Sequence, residues 1–135
     1  MVVVEGRYLG GLRCEARHGP SGAAIATDAP ADNMGRGESF SPTDLVGTAL
    51  GTCILTTMAI VAERRGIDMT GATFRVEKHM ATDPHRRIAR LPVTLRLPAR
   101  LAADDRSILE RAAHTCPVHR SFGPDLSAPM TFVYE

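Results

Sequence analysis

The sequence has no tryptophan and few other aromatic rings, four Phe and two Tyr in 135 residues. That scarcity removes the usual platform on which single-stranded bases stack. It has no surplus of charge either: 16 Lys and Arg stand against 15 Asp and Glu, a net charge of +1. Binding a phosphate backbone needs a basic excess on one face, so nucleic acid is not an expected partner. The opening Met1-Val2-Val3-Val4-Glu5-Gly6-Arg7 lacks the basic, apolar and small-residue segments of an export signal. The expected location is therefore cytoplasmic and reducing. Cysteine is limited to Cys14, Cys53 and Cys116, and in such a compartment these read as free, catalytic or metal-binding thiols rather than a disulfide framework.

What is present fits one domain spanning 1–135, with 44% apolar and 23% charged residues, enough for a packed core. No repeat, low-complexity segment or linker interrupts it. One uncharged run, Leu45 to Ala62, reaches the lower edge of a membrane span. Four threonines and two glycines lie inside it and no second such run exists. It reads instead as the fully buried central helix of a globular domain, with no membrane partner.

Met1 to Leu9 and Gly11 to His18 are expected as strands about a Gly10-Gly11 turn, and Ala23 to Thr27 as a third. Residues 28–40, rich in Asp, Pro, Gly and Asn, should form an exposed loop. Ser41 as N-cap, Pro42 at the first helical position and Asp44 in a capping box open a helix. Glu63-Arg64-Arg65 and then Gly66 close it. At about 1.5 Å per residue that helix is long for a domain of this size. Thr73 to Met80 and Arg87 to Leu97 read as a second hairpin, Ala103 to Thr115 as an amphipathic helix, and Met130 to Tyr134 as a last strand. The order β-β-β-α-β-β-α-β predicts an α+β fold without the β-α-β alternation of a parallel sheet.

Three places could carry chemistry. Cys53 lies midway along the apolar helix, where free cysteine packs as a small hydrophobe and burial raises its pKa. Reactivity there would need a nearby cation. Cys116, before Pro117, reads either as the N-cap of a short second helix, where unpaired N–H groups and the basic His119 and Arg120 favour a thiolate, or as a half-exposed residue at a kink. Cys14 should pack with Leu12 and Ala16 on one strand face. His114-x-Cys116-x-x-His119 offers three zinc-type donors where a structural site wants four, so no metal is expected. Asp44 is explained fully by its capping role, and an additional catalytic role stays open.

The segment Ser41-Pro42-Thr43-Asp44-Leu45-Val46-Gly47-Thr48-Ala49-Leu50-Gly51-Thr52-Cys53 resembles the OsmC/Ohr family signature. Ala113-His114-Thr115-Cys116-Pro117-Val118-His119-Arg120-Ser121 resembles the second signature of that family, the Cys-Pro turn. The resemblance extends over the whole chain, including the Gly10-Gly11-Leu12-Arg13 hairpin, and is nearer to the broader OsmC-like branch than to Ohr proper. It implies an intertwined homodimer in which the long helices pack centrally, with Gly47 and Gly51 allowing close approach of helices. It also implies a thiol-dependent peroxidase acting on organic hydroperoxides, without a bound cofactor. Cys53 would become a sulfenic acid, Cys116 would resolve it as a disulfide, and an external dithiol or lipoyl-type reductant would reopen the bond. Arg13, or alternatively Arg17, would activate the thiolate, held by Asp44. An apolar pocket beside Cys53, lined by neighbours such as Leu50, Ile54 and Thr57, would select apolar peroxides. The alternative is a binding or redox-sensing OsmC-like protein without meaningful turnover.

Overall fold

In the computed structural model, which describes residues 1–135, the chain divides into two compact units, Met1–Leu45 and Val46–Glu135. The first contains β1 (Val4–Gly10), β2 (Arg13–His18) and β3 (Ala24–Asp28), an antiparallel sheet in chain order. The glycine turn forms but runs one residue further than expected: Gly10, Gly11 and Leu12 all have positive φ. Strand β2 therefore starts at Arg13. Cross-strand partners Tyr8↔Cys14, Cys14↔Thr27 and Ala16↔Ile25 place Tyr8, Cys14 and Ile25 on one face. That face is open, with Tyr8 64% and Ile25 53% exposed. Cys14 consequently is exposed rather than packed, correcting the expectation drawn from alternation. Alternation states which side chains share a face and is silent on whether anything covers it.

The segment after β3 is largely exposed, with one 3-10 turn at Ala31–Asn33. Its first residue, Asp28, instead completes β3 and is buried.

Helix α1 (Pro42–Arg65) begins in the first unit and has the predicted bounds. The capping box is reciprocal: Asp44 N–H donates to Ser41 Oγ at 3.1 Å and Ser41 N–H donates to Asp44 Oδ2 at 2.9 Å. By length and composition α1 could cross a membrane. It nevertheless behaves as a core helix, burying Gly47, Leu50, Gly51, Ile54, Met58 and Ala62 at three- and four-residue spacing. Within one chain that burial is one-sided, since Thr52, Thr56 and Ile60 on the other side are exposed.

The predicted second hairpin forms in two pieces. Strand β4 (Thr73–Val76) pairs with β7 (Val93–Leu97), while β5 (His79–Ala81) pairs with β6 (Arg87–Arg90). Pro92, which has no N–H, separates β6 from β7; its carbonyl still accepts from Glu77 N–H at 3.0 Å, so the register carries through the break. Strand β8 (Met130–Tyr134) joins the other edge of β7 in parallel. One parallel pair thus exists where sequence order suggested none, because helices α2 (Ala103–Ala113) and α3 (Pro117–Arg120) bridge β7 to β8.

Val93, Leu95 and Leu97 of the central strand form a core with Leu50, Ile54, Met58, Leu91 and Leu109. Gly51 lets the sheet approach α1: a Cβ there would stand 2.3 Å from the Phe74 ring, and one at Gly47 would stand 3.4 Å from Val76 Cγ1. The two helical glycines therefore admit side chains of β4, not a second helix. Helix α2 is tied to β8 by Tyr134, whose hydroxyl donates to Glu110 and whose ring lies 4.1 Å under the Arg106 guanidinium.

Candidate active site

Cys53 lies on α1 beside the buried stripe, half-buried, with Sγ 4.0 Å from Thr57 Oγ1 one turn later. Cys116 sits at the joint between α2 and α3 and is fully buried. Its backbone is non-helical (φ −53, ψ 122), Pro117 starts the helix, and Arg120 N–H donates to the Cys116 carbonyl at 3.0 Å. The predicted N-cap is therefore present.

The fold brings these two cysteines, 63 positions apart, close enough that each shifts the acidity of the other. At Cys53 burial pushes the thiol up, but the Cys116 thiol, the Val118 main-chain N–H and the Thr57 hydroxyl favour the ionised form and lower it overall. At Cys116 burial raises the thiol, and the neighbouring Cys53 raises it further against the opposing His119 and Val118 N–H groups. This reverses the thiolate expected from its N-cap position, because burial outweighs four residues of helix. The pair holds one thiol inclined to ionise and one inclined to keep its proton. Chemically it offers a nucleophile with a second sulfur beside it.

The expected pocket walls need correction. Leu50 and Ile54 are fully buried in the core, so among the three named neighbours Thr57 is the one beside Cys53. The histidines flanking Cys116 are engaged elsewhere: His114 meets the Phe132 ring edge-on at 6.2 Å, and His119 Nε2 bonds the Ala128 carbonyl at 3.2 Å.

In the first unit, Arg13 forms ion pairs with Glu38 and, at 3.6 Å, with Asp28. Asp28 Oδ2 also accepts the Glu38 N–H at 3.1 Å, whereas its Oδ1 is buried without a hydrogen-bond partner. Arg17 donates to the Gly22 carbonyl at 2.9 Å and pairs with Glu15 at 3.7 Å. Asp44 serves the helix cap described above. The sequence reading missed Asp28 and Glu38. The first was discoverable, since extending β3 by one residue places Asp28 directly across from Arg13. The second depends on a loop path that no local pattern announces.

The family model for OsmC-like proteins matches residues 35–128 of this chain. A crystal structure from Psychrobacter arcticus 273-4, of a protein provisionally named as osmotic stress induced and of the detoxification response, is 40% identical. The alignment covers 98% of this chain and 96% of that one, with a TM-score of 0.90. An organic hydroperoxide resistance protein from Elizabethkingia anophelis is 12% identical over 100% of this chain and 96% of that one, with a TM-score of 0.80. An organic hydroperoxide resistance protein OsmC from Legionella pneumophila is 16% identical over 98% and 96%, with a TM-score of 0.75. These last two likenesses establish the shared α+β fold. None of the curated proteins matches the chain.

Proposed function

The chain belongs to the OsmC-like protein family, and on that premise we propose that it is a thiol-dependent peroxidase that reduces organic hydroperoxides. The observation that carries this reading is the adjacency of the half-buried Cys53 thiol and the buried Cys116 thiol, which the fold brings together from 63 positions apart. A Cys53 thiolate attacks the terminal peroxide oxygen; the O–O bond breaks, the alkoxide leaves and takes a proton, and Cys53 becomes a sulfenic acid. The Cys116 sulfur then attacks that sulfur, its proton and the sulfenic oxygen leave as water, and a disulfide forms. An external dithiol supplies two electrons and two protons to restore both thiols. A protonated Cys116 suits this order, since it leaves the first step to Cys53 and is consumed only in the second.

Arg13 is the arginine we assign to thiolate stabilisation and Asp44 the carboxylate we assign to its support, both from the family resemblance. The open apolar face of the first sheet and the exposed side of α1 support a homodimer, because apolar surface of that kind favours burial against a second copy. A reducing cytoplasm would keep the resting thiols free.

The test is dithiol-dependent consumption of cumene hydroperoxide. Cys53→Ser should abolish turnover. Cys116→Ser should lose turnover yet accumulate a sulfenic acid that dimedone traps. In the wild-type protein, alkylation of Cys53, read on its own peptide, should reach half its limiting rate below the ordinary thiol pKa of about 8.5, since the Cys116, Val118 and Thr57 donors together outweigh burial. Unchanged turnover in Cys53→Ser would overturn the reading.

A second reading, a redox sensor without appreciable turnover, draws on Arg13 being held between Glu38 and Asp28. Two carboxylates diminish the field that one guanidinium can offer a thiolate. It predicts slow, stoichiometric oxidation of the cysteine pair, so rapid multiple turnover would exclude it.

A further inference from the structure

Charge is unevenly spread over the second unit. Residues 78–90 carry Lys78, Arg86, Arg87 and Arg90 against the single acid Asp83. That is +3 on thirteen residues, which leaves −2 on the rest of a chain whose total is +1. The segment is the two-stranded ribbon β5–β6, and Arg86 and Arg90 on it are exposed along with His79 and His85. A solvated basic ribbon is commonplace. What distinguishes this one is the segment to which it is fastened.

The ribbon grips the segment that follows the Cys116 helix. Arg87 Nη1 donates to the Asp125 carbonyl at 2.9 Å. Ser127 N–H donates to Ala89 at 3.0 Å, Leu91 N–H donates back to Ser127 at 2.8 Å, and Arg90 forms a parallel bridge with Ser127. One residue further, the Ala128 carbonyl meets His119 Nε2 on α3, the helix that Cys116 caps. At its base the ribbon leads into Leu91, which faces Gly47 on α1, less than two turns before Cys53. The basic surface is thus linked to α3 through Ala128 and His119 and to α1 through Leu91 and Gly47.

Resting on the peroxidase reading above, we propose that ribbon β5–β6 is the docking surface for an acidic, dithiol-bearing protein that reduces the Cys53–Cys116 disulfide. Cys116 is fully buried and Cys53 half-buried, so a reductant must be held in one orientation for its thiolate to reach a sulfur. Complementary charge on a ribbon fastened to the segments around the thiols supplies that orientation and raises the encounter rate. In the step itself the partner's thiolate attacks one sulfur of the disulfide, and the S–S bond breaks to release the other as a thiolate, which takes a proton. The partner's second thiol then attacks the mixed disulfide and is itself oxidised, closing the partner's disulfide, while the remaining sulfur of this chain leaves and is protonated. Two electrons and two protons are transferred. A protein occupant is favoured over nucleic acid by the near-zero total charge and the scarcity of aromatic side chains.

The experiment uses three synthetic peptides with one Cys-x-x-Cys core, flanked by aspartates, serines or lysines. Each reduces the oxidised full-length protein, and the second-order rate is read for wild type and for the double variant Arg86→Glu, Arg90→Glu. The expected order for wild type is acidic, neutral, basic, with about tenfold or more between the extremes at low ionic strength. That spread should collapse near ~0.5 M salt, where screening is short-ranged, and the order should invert in the double variant. Dithiothreitol should reduce both proteins equally, which shows that the variant is folded and its disulfide intact. Three results would overturn the proposal: equal rates for the three peptides, an order that survives the double variant, or duplex DNA binding that the double variant removes while peptide reduction stays unchanged. If dithiothreitol supports no turnover in wild type, it is the peroxidase reading that falls, and the docking proposal with it.

Discussion

Two three-stranded sheets in this molecule have opposite fates. In β4–β7–β8 the inward residues Val93, Leu95 and Leu97 are almost wholly buried. In β1–β2–β3 the equivalent apolar positions Val4, Tyr8 and Ile25 stay more than half exposed. Strand alternation is similar in both. The difference is that the first of these sheets has a helix of its own unit packed on it and the second does not. Alternation sorts side chains onto faces, but only a covering element turns a face into a core.

The largest test of this contrast is truncation on each face. Leu95→Ala should cost about 2–5 kcal/mol in urea unfolding, whereas Ile25→Ala should stay within about 0.5 kcal/mol for a monomer. A larger Ile25→Ala cost that grows with protein concentration would mean that a second copy covers that face, which the homodimer proposal requires. Next comes a pair of neighbours on α1. Gly51→Ala drives a methyl into the Phe74 ring and should cost about 1–3 kcal/mol, while Thr52→Ala on the exposed side should change stability by less than about 0.5 kcal/mol. A neutral Gly51→Ala would show that β4 can shift without loss. The smallest expected effect is at Cys14. Cys14→Ser should leave stability within about 0.5 kcal/mol and leave peroxide consumption unchanged. A loss of turnover would bring the first sheet into the chemistry of the thiols.

Where punctuation is written into the chain, the reading from sequence was good to the residue. Ser41, Pro42 and Asp44 start α1 and Gly66 stops it, since cap chemistry is local and needs no tertiary partner. Where an element's limit depends on pairing, the reading slipped. Asp28 reads as a loop residue by type, yet it is the last residue of β3 and the buried partner of Arg13. Pro92 breaks the second hairpin into two ladders without changing its register, a compromise that a simple strand-or-breaker rule does not contain. Both cysteines of the candidate site were legible by motif. The direction in which Cys116 titrates was not, because an N-cap is visible in the sequence and the depth of its burial is not.

By itself the sequence determined the element order, the helix caps, the α+β class and the two cysteines of the candidate site, all of which follow from local propensity, periodicity and short motifs. The tertiary structure decided which stripe of a uniformly apolar helix is covered, that β8 runs parallel to β7, and that a fully buried Cys116 stands beside a half-buried Cys53. Those outcomes depend on contacts between residues tens of positions apart. Their energies come from desolvation and packing, which no short window of sequence contains.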